Sequence, residues 1–347
     1  MRPFSFIASL FYGLAVNIRN FLFDRGLLKS YAVGVSTVCV GNVAVGGTGK
    51  TPHTEYIARE LSKRYQVAIL SRGYKRKTRG FRLAQPADTA LEIGDEPLQM
   101  YRNLKNIPVA VSENRIEGVR RLKELLPDLQ VVVLDDAFQH RKIKCDFYIL
   151  ITEQDNLYVN DHFLPYGRLR DRRSSSLRAN AIIVSKCKED ILPIDRRIIE
   201  TSLHLPSYQQ LYFSKINYAA LVGMKGDRET VLGAADIHKP LLLTAIANPE
   251  SLLQHLQKQY KQVVSLNFPD HHSFTRRDIE RVRAVMKTNR CDSIITTEKD
   301  VVRLEQNKYF TADLQCVTFV QPITISFIGQ RKGLIAEIEK NIKNNHK

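Results

Sequence analysis

Apolar positions along the chain fall in short, unbroken runs separated by stretches of mixed polarity. VSTVCVGN (35–42), QVAILS (66–71), IPVAVS (107–112), VVVLDD (131–136), DFYILI (146–151) and AIIVSK (181–186) are continuous rather than alternating. Runs of this kind belong to strands buried on both faces, and such strands are joined in parallel by crossover helices. Residues 54–65 and 115–126 have the helical spacing that supplies two of those crossovers. A second series begins near Pro240 with LLLTAIA, a helix from Pro249, VVSLNF, a helix after Thr275, and SIITTE, which predicts a second α/β unit. Between the two series, SYQQLYFSKINYAALV reads as extended chain, and QCVTFVQPITISF near the C-terminus has the same character. The two are expected to pair as a two-stranded bridge. No internal repeat or low-complexity segment interrupts this order.

The first thirty residues break the pattern. An uncharged apolar run from Pro3 to Asn17 is flanked by Arg2, Arg19, Arg25 and Lys29. It is shorter than the roughly 20 residues a spanning helix needs, and no small-residue cleavage site follows it. Apolar side chains beside cations suit a helix lying in a membrane interface. A helix packed on the protein's own core is the other reading.

The stretch after the first strand carries the clearest chemistry. AVGGTGKTPH (44–53) follows the strand Val35–Val40 and precedes an amphipathic helix, the context a Walker A loop requires. Gly46, Gly47 and Gly49 let the backbone aim N–H groups at phosphate oxygens, Lys50 reaches the outer phosphates, and the Thr51 hydroxyl can bind magnesium. Ala44 stands where the pattern has its first glycine. Pro52 falls in the first helical turn, where its missing N–H costs nothing. The partner acid for a metal comes from VVVLDD: Asp135 and Asp136 emerge at the carboxyl end of a buried strand, the edge where open α/β sheets bind ligands, and one of them can hold Mg²⁺ directly or through water. The predicted fold is therefore α/β, a P-loop NTPase-like parallel sheet with helices on both faces, plus a second, smaller α/β domain joined by the two-stranded linker. The expected divisions are the helix at 1–30, the P-loop domain at 31–205, the linker at 206–225, the second domain at 226–320, and a return strand with a C-terminal helix at 321–347.

Charge narrows the partners. The formal balance of +16 over 347 residues favours polyanions or anionic membranes. Cations cluster in SRGYKRKTRGFR (71–82) and GRLRDRR (167–173), each of which also reads as a solvated face. Five scattered cysteines without a C-x-x-C pair suggest neither zinc nor a disulfide framework and fit a reducing cytosol. No zinc finger, aromatic RNA-binding motif or tryptophan supports nucleic acid as a partner.

Among P-loop proteins, guanine readers need an acidic residue after a strand, and IIVSKCKED offers Ser185, Lys186, Cys187 and Lys188 instead. The chain also lacks the metal-ligand clusters of a metallochaperone-like GTPase. Partition-type ATPases have a signature lysine where this loop has Val45. A kinase or hydrolase remains, with a partition-type switch binding DNA or membrane as the alternative.

Taken together and in order, GNVAVGGTGKTP, SRGYKR, GDEP, LDDAFQHR, LPYGRLRD, FPDHHSF and TTEKDVVRL resemble the tetraacyldisaccharide 4'-kinase family of lipid A biosynthesis, from Gly41 to Leu304. The resemblance implies ATP-dependent phosphorylation of the 4'-hydroxyl of an acylated glucosamine disaccharide phosphate, with ATP and Mg²⁺ as cofactors. It places a peripheral enzyme at the cytoplasmic face of the bacterial inner membrane, with the lipid substrate and the anionic membrane surface as partners and no nucleic acid.

Residue by residue, the resemblance implies that Ala44, Val45, Gly46, Gly47, Thr48, Gly49, Lys50 and Thr51 hold the nucleotide. Asp95 of GDEP would be the base or orienting carboxylate at the sugar hydroxyl, paired with His271 of PDHH. A lone carboxylate is a weak base, and a hydrogen-bonded histidine that positions it helps. Asp135 and Asp136, with Lys50, would serve the metal and the moving phosphate. Arg72, Tyr74, Gln139 and His140 would face the substrate. Asp171 would join Thr51 and Asp135 at the magnesium ion, although the family commonly has Glu there. Ala137 stands where the family often has glycine.

Overall fold

The computed structural model describes residues 3–224, 237–329 and 333–345. The chain opens with α1 (Pro3–Asp24), followed by β1 (Ser36–Gly41), α2 (Lys50–Leu61), β2 (Val67–Ser71) and β3 (Arg82–Leu83). Next come α3 (Ala90–Ile93), α4 (Asp95–Asn103), β4 (Val109–Val111), α5 (Arg115–Leu125), β5 (Val131–Asp135) and β6 (Phe147–Glu153). The first series closes with β7 (Ala181–Ser185), α6 (Pro193–Leu203) and β8 (Gln210–Tyr218). The second contains β9 (Val222–Gly223), β10 (Pro240–Thr244), α7 (Glu250–Gln259), β11 (Val264–Asn267), α8 (Arg276–Asn289), β12 (Ser293–Thr297) and α9 (Glu298–Leu304). After it come α10 (Ala312–Cys316), β13 (Thr318–Gln321), β14 (Ile323–Phe327) and α11 (Gly333–Asn345).

The strands form two sheets, one of nine strands in the order β14-β8-β7-β6-β1-β5-β2-β4-β3 and one of five in the order β11-β10-β12-β13-β9. The expected α/β class is what the chain adopts. Every apolar run quoted for the two α/β series becomes a strand, and the central ones pair in parallel: β1 with β5 and β6, β2 with β4 and β5, β6 with β7. Both faces are covered, one by α2, α4 and α11 through Ile57, Leu61, Met100 and Leu334, the other by α5 and α6 through Val119, Leu122 and Ile199. Burial on both sides is the physical reason these runs are continuous.

Three expectations shift. The helix expected over 54–65 runs Lys50–Leu61, because Gly49 turns the chain at φ 86° directly into it and Pro52 sits in its first turn. The extended stretches do pair, Ile325 opposite Ile216, but β8 also lies parallel to β7. They are therefore the edge of the nine-stranded sheet, not a free-standing linker at 206–225. Sheet membership divides the C-terminal stretch at Pro322, with β13 in the smaller sheet and β14 in the larger. Residues 225–236, at the start of the expected second domain, lie outside the described residues.

The helix expected at 1–30 is Pro3–Asp24, 22 residues long. By length and composition it is long enough to cross a bilayer, which corrects the expectation that it is too short. What distinguishes it is which face it buries. Ser9, Asn20 and Phe23 turn inward, Tyr12 donates from its hydroxyl to the Arg170 carbonyl (3.2 Å), and Asn20 Nδ2 donates to Asp171 Oδ1 (2.6 Å). The large apolar side chains face out: Phe4 is 83% exposed, Phe11 69% and Leu14 57%, with Ile7, Leu10, Ile18 and Phe21 also exposed. A helix packed on the core would show the opposite arrangement.

Candidate active site

β1 is central, and its neighbour β5 sets the height of the acid pair. Register places Val40 opposite Asp135, so the carboxylate stands beside the loop that leaves β1. That loop borders a cavity of about 910 Å³ lined from both sheets and from α1.

Gly46 (φ 118°) and Gly49 (φ 86°) hold backbone angles that side-chain-bearing residues rarely adopt. Side chains then fix the loop. Asn42 Nδ2 donates to Thr48 Oγ1 (2.9 Å), Ser185 Oγ donates to the Thr48 carbonyl (2.8 Å), and His53 bridges the Gly49 carbonyl (2.7 Å) to Ser214 Oγ (2.8 Å). Burial lowers the His53 pKa to about 4, so this clamp is neutral. Gly46, Gly47, Thr48, Gly49, Lys50 and Thr51 all line the cavity. The first-turn amides of α2 have no partners within the helix. Ala44 is buried, bridged to Leu169 and absent from the cavity wall. Val45 does line the cavity, although its N–H is taken by the Arg168 carbonyl (2.7 Å), as the Thr48 N–H is by the Gly46 carbonyl (3.0 Å).

Asp135 and Asp136 occupy opposite electrostatic settings. Asp135 is buried and accepts from Ser71 Oγ (2.9 Å) and Thr54 Oγ1 (3.2 Å). Burial, then the nearby charges of Glu96 and Asp136, raise its pKa to about 6. For Asp136 burial acts in the same direction, but Lys50 at 3.9 Å and a bonded Arg170 outweigh it and hold it at about 2. A buried carboxylate pushed up by its like-charged neighbours gains from a divalent cation. Thr51, Asp135 and Asp136 all line this end of the cavity, and their oxygen-only donor set matches magnesium. Among the described residues no group of three or more His, Cys, Asp or Glu could hold a metal unaided.

Asp171 does not belong to this set. Its carboxylate is 1% exposed and accepts from Asn20 Nδ2 (2.6 Å), Ser175 Oγ (2.8 Å), the Arg172 amide (2.9 Å) and Arg178 Nη2 (3.2 Å). Its oxygens are used up in anchoring α1, and it does not line the cavity. Three other arginines of the GRLRDRR cluster are spent internally: Arg168 pairs with Asp161, Arg170 with Asp136 and Arg172 with Asp24. Arg173 is exposed and donates to the Asp161 carbonyl.

On the opposite wall, Asp95 begins α4 directly after Gly94, and the structure brings His271 to it across 176 residues: Nδ1 lies 3.1 Å from Asp95 Oδ2. Arg303 Nε is 3.2 Å from the same oxygen. His271, at φ 58°, lines the cavity with Glu96 and Lys299, and the Tyr74 ring meets it edge-on at 5.5 Å. Arg72, Tyr74, Gln139 and His140 also line the cavity. Gln139 donates to the Asn42 carbonyl (2.6 Å) and accepts from Arg19 (2.7 Å). Burial, then Arg115, lowers the His140 pKa to about 4.

Several lining residues carried no signal in the sequence. Tyr12, Val16 and Arg19 of α1 reach the cavity, so the helix with the exposed apolar face also forms part of its wall. Arg115, buried at the first turn of α5, lines it with its Nε unpartnered. TTEKDVVRL, whose residues had no assigned role, is α9 with its cap. Its Asp300 accepts from the Ala245 amide (3.0 Å) and pairs with Arg303, which reaches Asp95. A lysine or arginine on a short helix reads as solvent-facing until its partners are placed.

The profile of the tetraacyldisaccharide-1-P 4'-kinase family, LpxK, matches residues 1–343. The chain is 44% identical to the tetraacyldisaccharide 4'-kinase of Parabacteroides distasonis, over 99% of its own length and 95% of the relative's. It is 41% identical to that of Flavobacterium johnsoniae, over 99% and 98%. The crystal structure of LpxK from Aquifex aeolicus in complex with ATP superposes with a TM-score of 0.72 at 26% identity, covering 98% of this chain and 97% of that one.

Proposed function

The chain belongs to the tetraacyldisaccharide 4'-kinase family, and from that premise we propose how its cavity performs the transfer. It is a kinase of lipid A biosynthesis that uses ATP and phosphorylates the 4'-hydroxyl of a tetraacyldisaccharide 1-phosphate. The observation that carries the site assignment is that one cavity is lined by the glycine loop on one wall and, on the other, by His271, whose Nδ1 lies 3.1 Å from Asp95 Oδ2. A phosphate donor and an acceptor hydroxyl can therefore meet inside it.

The triphosphate lies along the glycine loop from Gly46 to Thr51 at the N-terminus of α2, where the helix dipole favours anions. Lys50 turns from Asp136 to the outer phosphates. Thr51 and Asp135, with Asp136 beside them, would hold a magnesium ion, which when bound neutralises charge on the phosphates. Arg72 and Arg115 add positive charge to the same space. Asp95 takes the proton of the acceptor hydroxyl as the oxygen bonds to the γ-phosphorus. The bond to the bridging oxygen of ADP then breaks, and the proton remains on the carboxylate.

The outward face of α1 lies in the membrane interface, and its inward residues Tyr12 and Arg19 receive the head of the lipid. The arrangement supports our reading of a peripheral enzyme at the cytoplasmic face of the inner membrane, with anionic lipid as a partner for its net positive charge. Purified protein with Mg²⁺ and γ-labelled ATP is expected to transfer label to a tetraacylated disaccharide 1-phosphate and not to DNA or water at comparable rates. Label released only to water would replace the kinase reading with an ATPase.

A further inference from the structure

The ammonium of Lys299 lies 3.1 Å from Nε2 of His271, the ring nitrogen that Asp95 does not use. It is also 3.3 Å from Asp270 Oδ1 and 3.3 Å from Glu96 Oε1. A lysine ammonium has three donors and no acceptor, so Nε2 must accept, and the single proton of the neutral ring must sit on Nδ1. Nδ1–H then donates to Asp95 Oδ2 at 3.1 Å, the oxygen that Arg303 Nε also approaches at 3.2 Å. The His271 donor thus falls on Oδ2, the oxygen beside the Arg303 guanidinium, and not on Oδ1.

The other neighbours of the ring show what Lys299 prevents. Asp270 Oδ2 is 3.9 Å from Nε2, and a carboxylate there draws a proton onto that nitrogen. The Tyr74 ring covers another side of the imidazole. With Lys299 between them, Asp270 is paired with an ammonium, and Nε2 keeps its lone pair.

We propose that Lys299 is a positioning residue for phosphoryl transfer: it fixes the proton of His271 on Nδ1 and so makes Asp95, not the imidazole, the group that receives the substrate's proton. This rests on the reading of Asp95 and His271 as the base pair of the kinase. Lys299 stands on the second residue of α9, in the five-stranded unit, whereas Asp95 stands on the first residue of α4, in the nine-stranded unit. The tautomer that the reaction needs is therefore set across the seam between the two units.

The test is the protonation pattern of His271 in the full chain with ring-¹⁵N histidine, read by two-bond proton–nitrogen correlation and assigned by loss of the signal in His271→Asn. The wild type is expected to show a protonated Nδ1 and a bare Nε2 at neutral pH. In Lys299→Met, Nε2 is expected to gain a proton at the same pH, and Lys299→Arg is expected to restore the wild-type pattern. Turnover in Lys299→Met should fall by roughly tenfold or more, less than the ~10²–10⁴ that a whole base supplies, while ATP affinity stays unchanged and reports an intact fold. An identical nitrogen pattern in Lys299→Met and wild type, or unchanged turnover, would overturn the proposal. Undiminished turnover in Asp95→Asn would instead remove the underlying base assignment, and the two failures are thereby distinguished.

Discussion

The two walls of the cavity are built on different principles. The wall from β1 and α2 works through main chain: amides, a helix dipole and glycines at positive φ present a fixed cradle, and side chains such as Asn42, Ser185 and His53 only hold it still. The wall from α4 and α9 works through side chains alone. Asp95, His271, Lys299 and Arg303 form a chain of ion pairs and hydrogen bonds in which no member has meaning without the next. A backbone site is local and tolerates drift around it, whereas a side-chain relay depends on how two units of the fold are set against each other.

The strongest way to break this contrast is to disable each wall separately. Asp95→Asn keeps shape and removes the proposed base, so kcat is expected to fall by about 10²–10⁴ with little change in ATP affinity. Lys50→Met should lower kcat by roughly 10²–10³ and also weaken ATP, because its donor acts on phosphate in ground and transition states alike. Steady-state kinetics with binding measured separately decides it. Equal losses of ATP affinity in both variants would show that the walls do not divide the work.

A second prediction sharpens the comparison at the seam. Glu55 on α2 is buried and accepts from Asn103 Nδ2 (3.2 Å), which also donates to Glu298 of α9 (2.9 Å). Burial, then the Glu298 charge, raises the Glu55 pKa to about 8. The folded protein thus keeps a proton that the unfolded chain releases from about pH 4.5 upward, so stability falls as pH rises from about 4.5 to 8 and is level above that. Glu55→Gln should flatten this slope and add a few kcal/mol near pH 8, measured by denaturant unfolding at pH 6 and 8.5. An unchanged slope would show that the seam tolerates the charge.

The smallest expected effect concerns the outer face of α1. Phe11→Ser with Leu14→Ser should lower partition into anionic vesicles by about tenfold or more, since each apolar side chain contributes ~1.5–3 kcal/mol when buried. Thermal stability should hardly change, because both side chains are already exposed. Unaltered partition would assign the apolar face to something other than lipid.

Legibility followed the same division. The glycine loop, Asp135 and Asp136 could be read from the chain because strand, loop and helix are contiguous and their chemistry follows from spacing. Asp95 and His271 could be named only through a family resemblance, since GDEP by itself reads as a turn and PDHH as a surface loop. Asp171 was misassigned because a carboxylate's role depends on what surrounds it: here Asn20, Ser175 and Arg178 consume its lone pairs. Ala44 is held away from the cavity by its bridge to Leu169, which no local pattern announces.

The sequence by itself determined the α/β class, the order of strands and helices, the glycine loop between β1 and α2, and the strongly apolar first helix, because each is written in local periodicity or in one short motif. Only the tertiary structure decided which cations are free and which are spent. It also decided which face of α1 looks outward and which ring nitrogen of His271 carries the proton, since each depends on atoms brought together from distant parts of the chain.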